Sequence, residues 1–232
     1  EGIPAITETI ADGINVNVTL IFGLDRYQQV MDAYLAGLEK RSAAGNLISG
    51  IASVASFFIS RIDSKVDQQL ESHLENSDPA DQEEIKPLMG KAALASGKLA
   101  FELYEDNFGK EGSRYQKLVS LGARRQRVLW ASTSTKNPSY PDTMYVDELI
   151  GPETVNTIPP KTLLAFLDHG KGDQTIDQDV ELARKVFKDL PTWGVDMRQV
   201  TQALESEGVK SFAEAFTSLL DSLEKRMADF KV

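Results

Sequence analysis

The chain has 232 residues, 41% of them hydrophobic, with 35 acidic against 25 basic side chains and a net charge of −10. That apolar share supplies a core for one large domain or two small ones, while the acidic balance excludes the basic footprint that nucleic acid needs; a few placed cations would still suffice for a phosphorylated small molecule. With no cysteine and only His73 and His169 as histidines, disulfides, thiolate metal sites, cysteine nucleophiles and a histidine-rich metal centre drop out.

No apolar run reaches transmembrane length and no leading segment reads as a signal peptide, so no membrane is expected and the compartment is cytoplasmic by default. Glu1 is not a start methionine, and the chain is expected to be processed or part of a longer protein. Residues 3–11 read as a short helix, with Pro4 tolerated in its first turn and Asp12-Gly13 as a stop signal. The next stretch, residues 13–22, alternates: Ile14, Val16, Val18 and Leu20 face one way, Asn15, Asn17 and Thr19 the other. A period of two in β-branched residues is a strand. Its neutral hydrogen-bonding side fits either a barrel wall lining a polar pocket or an ordinary strand half in water.

Asp25 is placed to cap the following helix, in which Tyr27, Val30, Met31, Tyr34 and Leu38 recur at helical spacing until Gly45. Residues 51–59 form a second strand, apolar almost throughout, as a parallel strand buried on both sides would be. Helical patterns cover 65–76, 79–108 and 113–121, a third strand 126–132, and a brief fourth strand 153–158, closed by Pro159-Pro160. A helix at 161–169 follows, then helices at 177–189, 196–206 and 209–230, with Gly194 and Gly208 as breaks. The last presents Phe212, Phe216, Leu219, Leu220 and Leu223 on one face, expected to cover the barrel it belongs to. Repeated strand–helix units mean an α/β fold with a parallel sheet, and four strands are too few to close a (β/α)8 barrel. No linker divides the chain: 1–170 carries the βα units and 171–232 the closing helices of a single domain.

Barrel enzymes work at the carboxyl ends of their strands. There the first strand offers Asn17 and Thr19, the second Ser56 and Phe58 with Arg61 in the loop beyond, and the third Ser132, Ser134 and Lys136. Amide, hydroxyls and two cations on one rim suit a polyhydroxylated phosphate ester. Each also has a plainer role: Arg61 pairing with Asp63 or capping a helix, Lys136 a solvated loop lysine, Ser56 a small packing residue.

Together these segments are more specific. Residues 13–22, then Val54-Ala55-Ser56-Phe57-Phe58-Ile59-Ser60-Arg61-Ile62-Asp63, then Leu129-Trp130-Ala131-Ser132-Thr133-Ser134-Thr135-Lys136-Asn137-Pro138 closely resemble transaldolases, and the likeness resumes at 145–152 and 154–160. It runs over essentially the whole chain. The long segment between the second and third strands is similar to the larger bacterial subfamily, including its forms fused to a sugar-phosphate isomerase. Such a fusion is disfavoured because the chain stops after Phe230-Lys231-Val232.

The resemblance implies a (β/α)8 TIM barrel of the non-oxidative pentose phosphate pathway. It moves a dihydroxyacetone unit from sedoheptulose 7-phosphate or fructose 6-phosphate to an aldose phosphate through a lysine Schiff base, with no metal or organic cofactor. On that pattern Asn17 hydrogen-bonds the three-carbon unit, Thr19 positions a proton-shuttling water and Ser56 holds a substrate hydroxyl. Phe58 is an apolar wall favouring transfer over hydrolysis, and Arg61 and Lys136 grip the phosphate, with Ser132 or Ser134 assisting. Lys136 departs from the commoner form, which has arginine nearer the strand end. In the family the Schiff-base lysine lies on the fourth strand, whose motif would end just before Glu1. The expectation is therefore that the chain supplies strands five to eight and the closing helices, and needs the amino-terminal half of the barrel as partner. Alone it should be inactive and not stably ordered. A Schiff-base lyase of the aldolase group and a non-catalytic sugar-phosphate-binding half-barrel are the alternatives.

Overall fold

A computed structural model describes residues 2–229; Glu1 and Phe230-Lys231-Val232, with the question of a fusion there, lie outside it. Four strands, β1 (Val16–Ile21), β2 (Ser53–Phe58), β3 (Arg127–Ala131) and β4 (Val155–Asn156), form one parallel sheet in the order β1-β2-β3-β4. Each strand lies beside its predecessor, with helices between: α1 (Gly2–Ala11) before β1, α2 (Leu24–Ala43) after it, and α3 (Ser60–Leu74), α4 (Pro79–Ile85), α5 (Ala92–Tyr104) and α6 (Gln116–Val119) between β2 and β3. Then come α7 (Met144–Asp147), α8 (Pro160–His169), α9 (Val180–Asp189) and α10 (Met197–Asp229). Unbroken sequential order is the winding of a (β/α)8 barrel wall, whereas doubly wound sheets reverse order midway.

The two sheet faces differ. Ala55 and Phe57 of β2 and Val128 and Trp130 of β3 are buried under the helices, where Phe57 meets Tyr27 and Trp130 edge-on at 5.9 and 6.2 Å between ring centres. The other face carries Asn17 and Thr19, both exposed, and the half-buried Val54 and Phe58. So β2 is not sealed on both sides, although its apolar sequence predicts that. Among the described residues β1 and β4 each have one strand neighbour, leaving two open edges.

Several elements depart from their sequence pattern. The alternation in β1 fails at Leu20, whose φ of +60° lies in the left-handed region. There the register with β2 slips: Val18 pairs with Ala55, but Ile21 with Phe57. One extra residue makes a bulge and returns Ile21 to the buried face, where strict alternation would have placed it among the asparagines. Asp25 does not cap α2; Gly23 occupies that position, and Asp25 sits in the first turn, paired with Arg198 at 3.0 Å. The stretch 79–108 is broken where Pro87 sits in a 3-10 turn and Gly90 takes φ +67°, and Glu105–Gly109 ends it as a π turn.

Gly208 is not a break. α10 runs through it, and a Cβ there would stand 2.9 Å from Leu20 Cδ2, so the missing side chain lets the helix press against β1. Past that contact α10 leaves the body, and Phe212, Phe216, Leu219, Leu220 and Leu223 are exposed, not packed on the sheet as their pattern predicts. α8, which follows edge strand β4, likewise exposes Leu163, Leu164 and Leu167. No helix among the described residues is long and apolar enough to cross a membrane.

Phe57 joins β1's helix to β3 through its two aromatic neighbours. Phe57→Ala is expected to cost about 3–5 kcal/mol, read as a lower urea midpoint with little change in slope.

Candidate functional site

The register decides which side chains meet. Asn17 of β1 pairs with Val54 of β2, and Ser56 with Leu129 of β3, so Asn17, Val54, Ser56 and Phe58 share the open face. There the Ser56 hydroxyl donates to Asn17 Oδ1 at 2.8 Å, and the exposed Asn17 keeps its amide N–H groups as donors with no bond to another described residue. Thr19 stands exposed on the same strand, one residue before the bulge. Phe58 packs on Phe22 at 5.1 Å and carries the Arg61 guanidinium over its ring at 5.6 Å.

Arg61 is in the first turn of α3, not in a loop as its distance from the strand predicts, and it is exposed. It does not pair with Asp63, and no described carboxylate lies within ion-pair distance of it. Lys136 is also exposed, and its Nζ donates to Ser134 Oγ at 2.6 Å. Ser132 goes elsewhere. Its φ is +57° and its hydroxyl meets that of Ser60 at 3.0 Å, while its carbonyl accepts from the Ser60 N–H at 3.1 Å. Thus the structure pairs Ser134, rather than Ser132, with Lys136. Asn17 with Ser56 and Phe58 with Arg61 are two direct contacts; Ser134 and Lys136 form a third group on the loop after β3.

Near these groups lie two buried carboxylates, Asp67, which no sequence motif singles out, and Asp63, which the sequence offers only as a partner for Arg61. Asp63 and Asp67, 1% and 6% exposed, stand one turn apart on α3 on the side that buries Ile62, Val66 and Leu70. Acids within an apolar helical stripe were the signal available. Asp63 accepts from the Ala93 N–H and Tyr145 hydroxyl, both at 2.7 Å. Asp67 accepts from the Gly90 N–H at 2.9 Å and the Tyr140 hydroxyl at 2.7 Å. Burial pushes the Asp63 carboxyl up to about 7, against those two donors, and raises Asp67 as well. Among the described residues the one deeply buried lysine, Lys98, is fixed by the carbonyls of Thr175 and Gln178 at 2.8 and 3.0 Å. None of the four strands bears a lysine. No group of three or more His, Cys, Asp or Glu among the described residues is arranged to hold a metal ion.

Comparison with known proteins gives a consistent result. The family described as Transaldolase/Fructose-6-phosphate aldolase matches residues 1–223. A transaldolase of Parafrankia sp. (strain EAN1pec) is 51% identical over 228 residues, covering 97% of this chain and 59% of the relative. Those of Frankia alni and Trichodesmium erythraeum are 50% and 45% identical, each over 98% of this chain and 59% and 60% of theirs. The chain thus spans about 59% of the length of the curated relatives it matches.

The raised Asp63 carboxyl predicts a pH signature. The folded protein holds this proton more tightly than the unfolded chain, whose value is about 3.9. The stability it confers is therefore full below about pH 4 and is lost as pH rises through about 7. Asp63→Asn cannot ionise. Thermal unfolding from pH 4 to 8 should show wild type losing stability relative to the variant, by up to about 1.4 kcal/mol per pH unit in that window. Parallel profiles would contradict this.

Proposed function

Because this chain belongs to the Transaldolase/Fructose-6-phosphate aldolase family, we propose that its open sheet face is part of a transaldolase active site. The reaction moves a dihydroxyacetone unit from a ketose phosphate to an aldose phosphate. A lysine amine condenses with the ketose carbonyl and releases water, giving a protonated imine. The neighbouring carbon–carbon bond breaks with its electron pair drawn into the imine, and the shortened aldose phosphate leaves. The remaining enamine attacks the acceptor's aldehyde, and hydrolysis frees product and lysine.

The observation that carries this reading is the Ser56–Asn17 contact on a face that also carries Phe58, over whose ring lies the Arg61 guanidinium, a cation with no carboxylate at ion-pair distance among the described residues. Asn17 and Ser56 hold hydroxyls of the three-carbon unit, and Thr19 positions the water that carries protons. Phe58 keeps a second water from the imine and enamine, which favours transfer over simple cleavage. Arg61 offers a fork to the phosphate and Lys136 a point charge, with Ser134 beside it. The substrates are phosphorylated sugars, the setting is pentose phosphate metabolism, and the compartment is the cytoplasm.

The same reading assigns the Schiff-base lysine to a strand other than these four. The sheet supports it physically: two open parallel edges, a polar face open to solvent, and leucines exposed on the helix beside β4 are what further βα units would cover. The four strands then act as strands five to eight of the barrel. The 232 residues by themselves carry no Schiff-base activity, and partner strands reach them from a longer polypeptide or another chain.

Borohydride reduction in the presence of fructose 6-phosphate tests both parts. Polypeptide containing the whole barrel should gain the mass of a reduced three-carbon adduct on one lysine, and the isolated chain none. An adduct on Lys136 or Lys98 would overturn the assignment, as would an unlabelled whole enzyme. Arg61→Met and Lys136→Met should each raise the KM for erythrose 4-phosphate about tenfold or more, in keeping with a lost charge-assisted contact of 1.5–3 kcal/mol, and hardly affect the KM for erythrose.

A further inference from the structure

The loop that carries Lys136 is tied to the helix that carries Arg61. Along residues 132–145 three side-chain bonds reach α3, Ser132 to Ser60, Tyr140 to Asp67 and Tyr145 to Asp63, beside the backbone bond from the Ser60 N–H to the Ser132 carbonyl. Lys136 lies between the first two. Its own loop is turned by Asn137, whose Oδ1 accepts from the Ser139 N–H at 2.9 Å, and by Thr135, whose hydroxyl donates to the Pro141 carbonyl at 2.9 Å. The Tyr140 ring occupies a slot that exists because residue 90 is glycine: a Cβ there would come within 2.7 Å of Tyr140 Cζ. Between loop and helix a cavity of about 210 Å³ is walled by Lys136 and Asn137 on one side and by Asp67 and Glu71 on the other. Both oxygens of Asp67 are already occupied, by Gly90 and Tyr140. The lysine is thus held close to acids yet bonded to Ser134 alone among the described residues.

We propose that Asp67 and Tyr140 are positioning residues for phosphate recognition: their bond sets the Lys136 loop against the Arg61 helix and keeps Asp67 from capturing the lysine. The proposal rests on the reading of Arg61 and Lys136 as the phosphate grip. A phenol lost at Tyr140 leaves one Asp67 oxygen without its donor, facing an ammonium across a small cavity. Lys136 then folds inward, and the phosphate loses a contact while the reacting carbons do not.

The test uses the intact enzyme. Tyr140→Phe should raise the KM for erythrose 4-phosphate about tenfold, leave kcat within about twofold, and leave the KM for unphosphorylated erythrose unchanged. Inhibition by inorganic phosphate should weaken in parallel. On an Asp67→Asn background, where the side chain still accepts from Gly90 but carries no charge to capture an ammonium, Tyr140→Phe should lose most of its effect on the KM for erythrose 4-phosphate. On a Lys136→Met background Tyr140→Phe should add nothing, because it acts through the lysine. An unchanged KM for erythrose 4-phosphate in Tyr140→Phe, equal losses for both acceptors, or additivity with Lys136→Met would overturn the proposal. If Lys136→Met and Arg61→Met also leave phosphate affinity intact, the phosphate grip itself fails. If they weaken it and Tyr140→Phe is silent, only the tether does.

Discussion

The molecule depends on a pleated sheet having two faces whose side chains cannot trade places. Parallel pairing from β1 to β4 aligns successive strands so that one set, centred on Phe57 and Trp130, goes under the helices. The alternate set, Asn17, Ser56 and Phe58, faces the open side. A slip of one residue would bury amides and expose aromatics at once, so the burial energy of large rings holds the polar contacts in register. The Asn17–Ser56 bond is then a by-product of packing on the opposite surface, and it is rigid for that reason.

Electrostatics is arranged in depth in the same way. Carboxylates occupy the layer between α3, the 86–93 turn and the loop after β3, where tyrosine hydroxyls and backbone N–H groups satisfy them. Cations occupy the outer rim without carboxylate partners among the described residues. A chain with net charge −10 can still present cations to an anion there, because Asp63 and Asp67, two of the acids near them, are bonded inward. Asp63, with its carboxyl raised to about 7, marks how far that inward placement goes.

Much of this was legible in the residues, and the exceptions have physical causes. Strand positions and the parallel α/β class follow from periodicity, and the shared face of Ser56 and Phe58 from their spacing of two. What local pattern misses is set by contacts distant in sequence. The bulge at Leu20 answers to α10, and helix 197–229 continues through Gly208 because β1 needs the space. The choice of Ser134 over Ser132 turns on Ser60, 72 residues before Ser132. Asp63 and Asp67 find tyrosines 82 and 73 positions away, which helical spacing cannot reveal.

Leu20 carries a consequence of its own. A left-handed backbone at a residue with a side chain stores roughly 1–3 kcal/mol, and glycine would relieve it at once. Yet glycine at this position would remove the isobutyl group that fills the notch over Gly208, and the final helix would lose its seat on the sheet. Conformational ease and interlock make opposite demands here, and the protein has kept the interlock. The two positions form a complementary pair, bulky on the strand and bare on the helix, so exchange at either one alone is penalised.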